Sequence, residues 1–283
     1  MISIFLQGGL GNQLFQIFTY LSFCIQTKDR IIIPKNKLDK FSNHGSERPT
    51  YWDTFFKRLQ PFLEEDSDKL FRLQRYNEPF FHYHQLVKFE NKDYIFCGYF
   101  QSYRYFQYQL DDIEKILRIK DLQKISREKN SKILNNKNIV SVHFRIGDYK
   151  YLSDYHPILG NQYYFNSIKY LIEKIGSDEL NLLFFFEKEN KKDIIIKKKI
   201  IKRRFPKCNI FFVDETLEDW EQLLLMSCCE HNIIANSSFS WWGAYLNRND
   251  KQIVCYPDVW FGKKMNHNTK DLCPATWTKI SNQ

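Results

Sequence analysis

The sequence has 283 residues, of which 43% are hydrophobic and 17% aromatic, and its formal net charge is +9 at pH 7. The apolar content excludes an intrinsically disordered chain, and the length suits one large domain or two ordinary ones. The positive charge indicates an acidic partner, such as a phosphorylated small molecule, an anionic membrane surface or a nucleic acid.

The first half of the chain opens with a strand, a glycine-rich turn and a helix. The apolar run 2–6 ends in GGLGN and is followed by LFQIFTYLSFCI, an order typical of the start of an α/β domain. A second strand is predicted at 31–34, a strand followed by a loop at 94–102, and a helix over YRYFQYQLDDIEKILRI. Residues 35–90 show no clear pattern.

From residue 138 onward, apolar strands and amphipathic helices alternate regularly. The strands are continuous hydrophobic runs, as in a parallel sheet covered on both faces, and one helix is expected to end at Gly176. This alternation predicts a doubly wound, Rossmann-like domain. The polar segment 130–137 sets the boundary between an N-terminal α/β domain, 1–135, and a C-terminal domain, 136–283.

Residues 191–207 are strongly basic, with nine Lys or Arg against one Asp. Read as a helix, the segment is predicted to bury a stripe formed by Ile194, Ile195, Ile196, Ile200 and Ile201. Two interpretations of the lysines stay open. They form either a solvated helix face or a surface attracted to anionic lipid.

Three polar segments follow predicted strands, where ligands of such sheets bind. GGLGN is either a tight turn or a place of close ligand approach, and it matches neither a P-loop nor a dinucleotide fingerprint. In HFRIGDY, Arg145 could fork onto a phosphate or pair with Asp148 to hold the loop. NSSFS is either an anion site at a helix N-terminus or a helix cap formed by Ser237 or Ser238, and the two roles can coexist.

The sequence predicts neither a metal nor another cofactor. Asp66 and Asp68 match the letters of a DxD pair, but they stand in an acidic run without a preceding strand and are interpreted as a solvated turn. If the phosphorylated partner is a diphosphate that leaves in a reaction without a metal, its charge has to be stabilised by Arg, hydroxyl groups and helix N-termini. The three segments supply these groups.

Seven cysteines are present, an odd number, with no CxxC pair and no zinc-type Cys/His spacing. We therefore expect reduced thiols in a cytoplasmic compartment. No basic segment with a cleavage site and no apolar run of about 18 residues is found, so neither a signal peptide nor a membrane-spanning helix is expected. Peripheral attachment to the inner membrane surface stays open.

Four blocks of the sequence resemble the signature blocks of the bacterial-type α1,2-fucosyltransferases, in the same order: GGLGNQLFQ (8–16), GYFQSYRYF (98–106), VHFRIGDY (142–149) and ANSSFSWWGAYLN (235–247). The resemblance implies an α/β, GT-B-like fold in which two Rossmann-like domains face a cleft. The first domain would be the acceptor side, and the second would bind the nucleotide sugar. The implied reaction is inverting, metal-independent transfer of L-fucose from GDP-β-L-fucose to the 2-hydroxyl of a terminal galactose in a glycan.

The resemblance also implies roles for single residues. Arg145 would hold the β-phosphate and His143 would lie against the donor, with Asp148 and His143 as candidates for the catalytic base; Asp148 could instead only orient Arg145. The implied donor-binding residues are His143, Arg145, Gly11, Asn12, Gln222, Asn236, Ser237, Ser238 and Phe239. The aromatic stretch 35–110 is expected to shape the acceptor site, with Tyr99 and Gln101 as contacts.

Three departures from the family pattern keep alternatives open. Ile146 replaces the second Arg of HxRRGD, and FFFEKEN replaces an FSDD-like stretch. Gln222 replaces an acidic residue that would accept from guanine, although Glu221 or Asp219 could supply a carboxylate. The donor could therefore be another GDP- or dTDP-linked deoxysugar. A non-enzymatic protein that binds nucleic acid or anionic lipid through 191–207 is the alternative of another class, but no nucleic-acid motif is present, so no nucleic-acid partner is expected.

Overall fold

The computed structural model describes residues 1–36 and 49–283, which form two compact α/β units. Unit 1 comprises Met1–Asp121 and His267–Pro274, and unit 2 comprises Leu122–Asn266 and Ala275–Gln283. Both units contain parallel sheets with helices, so the predicted α/β class is confirmed.

Unit 1 is built around a small parallel sheet and one long helix. Its elements are β1 (Ile2–Ile4), α1 (Leu10–Thr27), β2 (Ile33–Pro34), β3 (Leu63–Glu64), α2 (Ser67–Phe71), β4 (Gln74–Asn77), β5 (Tyr94–Cys97) and α3 (Leu110–Leu117). Three strands pair in the order β1-β5-β4, and β2 pairs with β3, all in parallel. Within the described part of unit 1, this sheet is smaller than the Rossmann-like sheet that was expected.

Helix α1 is buried along most of its length, and two of its buried polar side chains are bonded to backbone oxygens around it. Gln13 Nε2 donates to Gly8 O at 3.0 Å, and Ser22 Oγ donates to Tyr105 O at 2.8 Å. Buried amide and hydroxyl groups need such partners to offset the loss of water. The helix ends at Lys28, which adopts the left-handed conformation.

Unit 2 contains a larger parallel sheet. Its elements are α4 (Ile119–Lys129, which begins at the end of unit 1), α5 (Ser131–Leu134), β6 (Ile139–Phe144), α6 (Asn161–Ile175), β7 (Asn181–Phe186), α7 (Lys191–Arg204), β8 (Asn209–Phe212), α8 (Asp219–Ser227), β9 (His231–Ile233), α9 (Ser238–Tyr245), β10 (Val254–Pro257) and β11 (Thr278–Ile280). The sheet order is β11-β10-β9-β6-β7-β8. If β6 is counted as strand 1 of the unit, the order is 6-5-4-1-2-3, which is the Rossmann order read from the opposite edge. The Rossmann-like prediction is therefore confirmed for unit 2.

The sheet of unit 2 is covered on both faces, as its continuous apolar strands predict. Residues 139–144 of β6 are all buried, and the side chains of β6 and β7 enter two separate hydrophobic clusters. Helix α6 ends at Gly176 with φ +73°, as predicted. The short edge strand β11 was not predicted, because its three residues carry no apolar run.

The units divide at 121/122, earlier than the predicted division at 135/136. Helix α4 explains the difference, because it is bonded into unit 2. Gln123 Nε2 donates to Ser227 Oγ and to Leu246 O, both at 2.9 Å. The polar segment 130–137 therefore lies inside unit 2 rather than between the units.

The C-terminal segment His267–Pro274 belongs to unit 1, which the sequence did not indicate. The backbone oxygen of Asp271 accepts from Ser102 Oγ at 2.7 Å, and its carboxylate pairs with Arg104 at 3.1 Å. These contacts join residues about 170 positions apart in sequence, which no local pattern encodes.

The predicted isoleucine stripe of α7 is wrong in part. Only Ile194 and Ile201 are buried, whereas Ile195, Ile196 and Ile200 are 39%, 58% and 36% exposed. Successive helical residues point about 100° apart, so three consecutive isoleucines cannot share one face. No helix in the described ranges is long and apolar enough to span a membrane.

Candidate functional site

The predicted segments of unit 2 meet where the strand order reverses. From β6 the chain builds β7 and β8 to one side of the sheet, and then β9, β10 and β11 to the other. Ligands of doubly wound sheets bind outside the carboxyl ends of the strands at this switch point. Segment 143–149 begins with the last two residues of β6, and segment 236–240 follows β9.

Arg145 lies directly after β6 and is held by two carboxylates. Its Nη2 donates to Asp148 Oδ1, and its Nη1 donates to Glu187 Oε1 just after β7. The guanidinium carbon also lies 4.7 Å from the centre of the Tyr149 ring. We call this arrangement of Arg145, Asp148, Glu187 and Tyr149 the arginine clamp. It fixes the plane of the guanidinium, and the side chain of Arg145 remains 26% exposed. An anionic ligand can therefore reach an oriented cation with N–H donors to spare.

Glu187 was not predicted as part of the site. Besides holding Arg145, its Oε2 accepts from the N–H of Ile146 at 3.4 Å. A Cβ on Gly147 would lie 3.1 Å from Glu187 Oε1, so the loop passes close to the ion pair. The sequence signal was a glutamate directly after an apolar strand, but only the strand order brings β7 beside β6.

His143 is buried within β6, with 6% exposure. Burial, and then the positive charge of Arg145, lower the pKa of its imidazole to about 3. The ring lies 5.7 Å from that of Phe239, and its Nδ1 has no hydrogen-bond partner in the part of the chain that is described. A neutral imidazole can position a ligand by hydrogen bonding, but it is a weak base.

Ser237 caps α9, as predicted for this segment. Its Oγ accepts from the N–H of Phe239 at 3.3 Å, and Ser238 begins the helix. The helix dipole and the N–H groups of the first turn favour an anion here. Capping and anion binding are therefore compatible at this helix start.

Asn236 and Tyr149 connect the two segments of the site. Asn236 is 1% exposed, and its Nδ2 donates to Pro157 O at 2.9 Å and to Trp260 O at 3.2 Å. The hydroxyl of Tyr149 donates to Asn236 O at 3.1 Å, while its ring lies under Arg145. Asn236 thus acts in the framework of the site, although its buried Oδ1 has no partner within the described residues.

Gln222 lies on α8, in unit 2. Its Nε2 donates to Leu217 O at 3.0 Å, which leaves its carbonyl as an acceptor. The neighbouring Glu221 is engaged already: it accepts from the N–H of Glu218 at 3.2 Å and pairs with Lys129 at 3.0 Å. Glu221 is therefore poorly placed to replace the carboxylate that the family carries at position 222.

The glycine-rich turn lies in unit 1, between β1 and α1. Gly8 has φ +75°, and a Cβ there would lie 2.5 Å from Asn12 Nδ2, so the turn requires glycine. Asn12 Oδ1 accepts from Gln101 Nε2 at 2.9 Å, and Gly11 is buried in the first turn of α1. The predicted donor contacts of Gly11 and Asn12 stay predictions.

The described residues contain no group of three or more His, Cys, Asp or Glu side chains arranged to hold a metal ion. The DxD-like letters have a local explanation. Asp66 caps α2, its Oδ1 accepting from the N–H of Lys69 at 3.3 Å, and Asp68 lies exposed in the first turn.

Comparison with known proteins places the chain among sugar transferases. The solved fucosyltransferase NodZ from Bradyrhizobium (11% identical, 86% of this chain and 91% of that chain covered) superposes with a TM-score of 0.42, and POFUT1 in complex with GDP (11%, 90% and 98%) with 0.46. An Escherichia coli alpha-1,2-colitosyltransferase is 28% identical, with 97% of both chains covered. The Escherichia coli O-antigen biosynthesis glycosyltransferase WbnK is 26% identical, with 97% and 99% covered. The profile of Glycosyl transferase family 11 matches residues 69–281. The chain is therefore a glycosyltransferase and belongs to Glycosyl transferase family 11, as its four motif blocks indicate.

Proposed function

We propose that the protein transfers L-fucose from GDP-β-L-fucose to the 2-hydroxyl of a terminal galactose, with inversion and without a metal. The observation that carries this proposal is that the clamped Arg145 and the N-terminus of α9 both follow strands at the switch point of a Rossmann sheet. An anionic leaving group needs such preorganised positive groups.

The residues of the site take separate roles in this reaction. Arg145 and the first turn of α9 would stabilise the charge that develops on the departing diphosphate. Asp148 already accepts from Arg145, so we assign it to orient the guanidinium rather than to remove a proton. His143, neutral and packed against Phe239, would position the donor.

A second donor is favoured by one observation. One relative at 28% identity is named for the transfer of colitose, which is L-fucose without its 3-hydroxyl. Gln222 presents an amide where the family has a carboxylate that binds guanine. The donor can therefore differ in its nucleotide as well as in its sugar. The alternative is therefore the same reaction with another nucleotide-linked deoxysugar.

A donor panel decides between these proposals. The purified protein is incubated with GDP-L-fucose, GDP-L-colitose or a dTDP-linked deoxysugar, each with a β-galactoside, and release of the nucleoside diphosphate is measured. We expect the largest kcat/KM with GDP-L-fucose. Turnover of another donor with inert GDP-L-fucose would replace the first proposal by the second, and turnover with none would contradict both.

We also propose that α7 attaches the protein to an anionic membrane surface on the cytoplasmic side. The exposed isoleucines 195, 196 and 200 lie among Lys192, Lys199 and Arg203, none of which has an ion-pair partner in the described ranges. Basic side chains add attraction to anionic lipid, and exposed isoleucines gain by insertion among the headgroups. The seven cysteines are free, in keeping with a reducing compartment.

Co-sedimentation with vesicles tests this surface. We expect binding to phosphatidylglycerol vesicles and not to phosphatidylcholine vesicles, and a loss of about tenfold in the variant I196Q/I200Q. Val87→Gln, at an exposed position of unit 1, is the matched control. Equal binding by the double variant and the control would contradict the proposal.

A further inference from the structure

A cavity of about 400 Å³ lies in unit 1 at the carboxyl edge of the three-stranded sheet. Because β1, β5 and β4 are parallel, their carboxyl ends meet at one edge, where α/β sheets bind ligands. Each strand contributes lining residues at or just beyond its end: Phe5 and Gln7 after β1, Asn77 and Glu78 at the end of β4, and Gly98 and Tyr99 after β5.

The carboxylate of Glu78 is fixed on one side only. Its Oε2 accepts from the N–H groups of Tyr99 at 2.8 Å and Phe100 at 3.0 Å. Its Oε1 is buried and has no hydrogen-bond partner among the described residues. A buried carboxylate oxygen without a partner is costly, so this oxygen is suited to a ligand that brings a donor.

The turn after β5 is shaped around this carboxylate. A Cβ on Gly98 would lie 2.4 Å from Glu78 Cβ and 2.6 Å from its Oε2, so the backbone comes too close for any other residue. Phe100 adopts φ +51°, which is unfavourable by about 1 kcal/mol or more for a side chain of this size. Strained backbone of this kind persists where the surrounding structure imposes it and clusters at functional sites.

Glu78 can change its charge near neutral pH. Burial raises the pKa of its carboxyl to about 7, against the opposing effect of the two backbone N–H groups. Arg75 is the charged residue that shares the cavity wall, and Tyr76 and Tyr105 are close enough for the carboxylate to add to the rise that burial causes in their pKa. Neither His143 nor Asp148 offers a comparable proton acceptor, since one is neutral down to acidic pH and the other is bonded to Arg145.

The cavity wall is bonded to the helix that follows the glycine-rich turn. Gln16 is fully buried, and its Oε1 accepts from the N–H of Gln7 at 3.1 Å while its Nε2 donates to Gly98 O at 3.1 Å. One side chain thus ties the cavity wall to the first turns of α1, where Gly11 and Asn12 lie. A sugar bound in the cavity would therefore lie beside the glycine-rich turn of unit 1.

We propose that this cavity binds the acceptor sugar and that Glu78 is the general base of the transfer. The inference rests on the proposed function. Amide and carboxylate groups of Gln7, Asn77 and Glu78 suit sugar hydroxyls, while Phe5 and Tyr99 offer apolar ring faces. The attacking O–H proton passes to Glu78 Oε1, the oxygen bonds to the anomeric carbon, and the bond from that carbon to the phosphate oxygen breaks with its electron pair.

The base is tested with Glu78→Gln, which keeps an acceptor oxygen for the two backbone N–H groups. We expect the transfer kcat to fall by about 10²–10⁴-fold, with GDP affinity within about twofold of wild type. Glu78→Asp should recover part of the rate, and Glu90→Gln, at an exposed position outside the cavity, should match wild type. A folded Glu78→Gln enzyme within about threefold of the wild-type kcat would overturn the role of Glu78.

The cavity is tested by saturation-transfer NMR of methyl β-galactoside with the full chain and no donor. Wild type should give a signal that Tyr99→Ala reduces several-fold, with circular dichroism unchanged. An equal signal from Tyr99→Ala would overturn the acceptor site even if the transfer reaction is confirmed. A Tyr99-dependent signal from a protein that turns over no nucleotide sugar would support the cavity and contradict the proposed function instead.

Discussion

The carboxyl edges of the two sheets hold charge in opposite ways. In unit 2 the charged group is a guanidinium, partly exposed and bonded to the carboxylates of Asp148 and Glu187. In unit 1 it is the carboxylate of Glu78, buried and held only by backbone N–H groups. Carboxylate neighbours hold a charged arginine in one orientation, whereas burial raises the pKa of a glutamate toward neutral pH. A permanent charge suits binding of a diphosphate, and a variable one suits proton transfer.

Removing the permanent charge should produce the largest loss. Arg145→Ala is expected to lower kcat by about 10²–10³-fold, because no second arginine follows it and the leaving diphosphate loses its oriented cation. Arg145→Lys should recover little, since an ammonium lacks the fork. Steady-state kinetics with a circular dichroism check measures both variants, and Lys150→Ala, at an exposed ion pair, is the control. A folded Arg145→Ala enzyme within a few-fold of wild type would place the diphosphate elsewhere.

The two carboxylates of the clamp should be nearly equivalent if both only orient Arg145. Asp148→Asn and Glu187→Gln are each expected to lower kcat/KM by about 10- to 100-fold, as losing one charge-assisted hydrogen bond does. The double variant should lose less than the product of the two, because the changes affect one guanidinium. If Asp148→Asn alone abolished kcat while Glu187→Gln did not, Asp148 would be the base and the assignment of Glu78 would be wrong.

The variable charge in unit 1 should appear in the pH profile. Since Glu78 has to lose its proton to act, kcat/KM is expected to rise by about tenfold per unit up to about pH 7 and then level off. In the folded protein the pKa of Glu78 is raised above its ordinary value of 4.5. The free energy of unfolding of wild type relative to Glu78→Gln is therefore highest below about pH 4.5 and falls as the pH rises to about 7. Urea unfolding at several pH values checks the sign. A profile flat from pH 5.5 to 8.5 would contradict this role.

A smaller effect is expected from the backbone that passes the clamp. Gly147→Ala places a methyl group 3.1 Å from Glu187 Oε1 and 3.4 Å from Arg145 Nη1, which should shift the ion pair by a few tenths of an ångström. We expect kcat to fall by roughly two- to fivefold, since small misplacements of a catalytic group lower the rate. Gly160→Ala, whose added Cβ would lie 3.6 Å from its nearest neighbour, is the control. Equal rates for the two variants would show that the clamp tolerates displacement.

Local contacts of the site were predictable, and contacts between distant strands were not. Ser237 caps the helix that follows it, and Asp148 pairs with Arg145 three residues away, so spacing alone indicated both. Glu187 is 42 residues from Arg145, and Glu78 is 22 from Phe100. Their roles depend on which strands are neighbours, and a single sequence does not encode that order.

The fold shows the same division between local and distant information. Alternating strands and helices in the second half predicted a Rossmann-like sheet, because each strand is a buried apolar run. Strand β4 was missed, since QRYN is polar and mostly exposed at a sheet edge. The aromatic stretch 35–110 was expected to shape the acceptor site. Its residues 37–48 lie outside the described residues, and within the rest Tyr99 lies in the cavity wall.

The return of His267–Pro274 to unit 1 has a consequence for biosynthesis. A ribosome delivers the chain from the N-terminus, and domains usually fold as they emerge. Here unit 1 receives its last eight residues only after residues 122–266 of unit 2 have been made. Until then Ser102 and Arg104 lack the partner that Asp271 supplies to both. The unit that is synthesised first is therefore completed only after most of the other unit has been made, and it lacks these contacts throughout that interval.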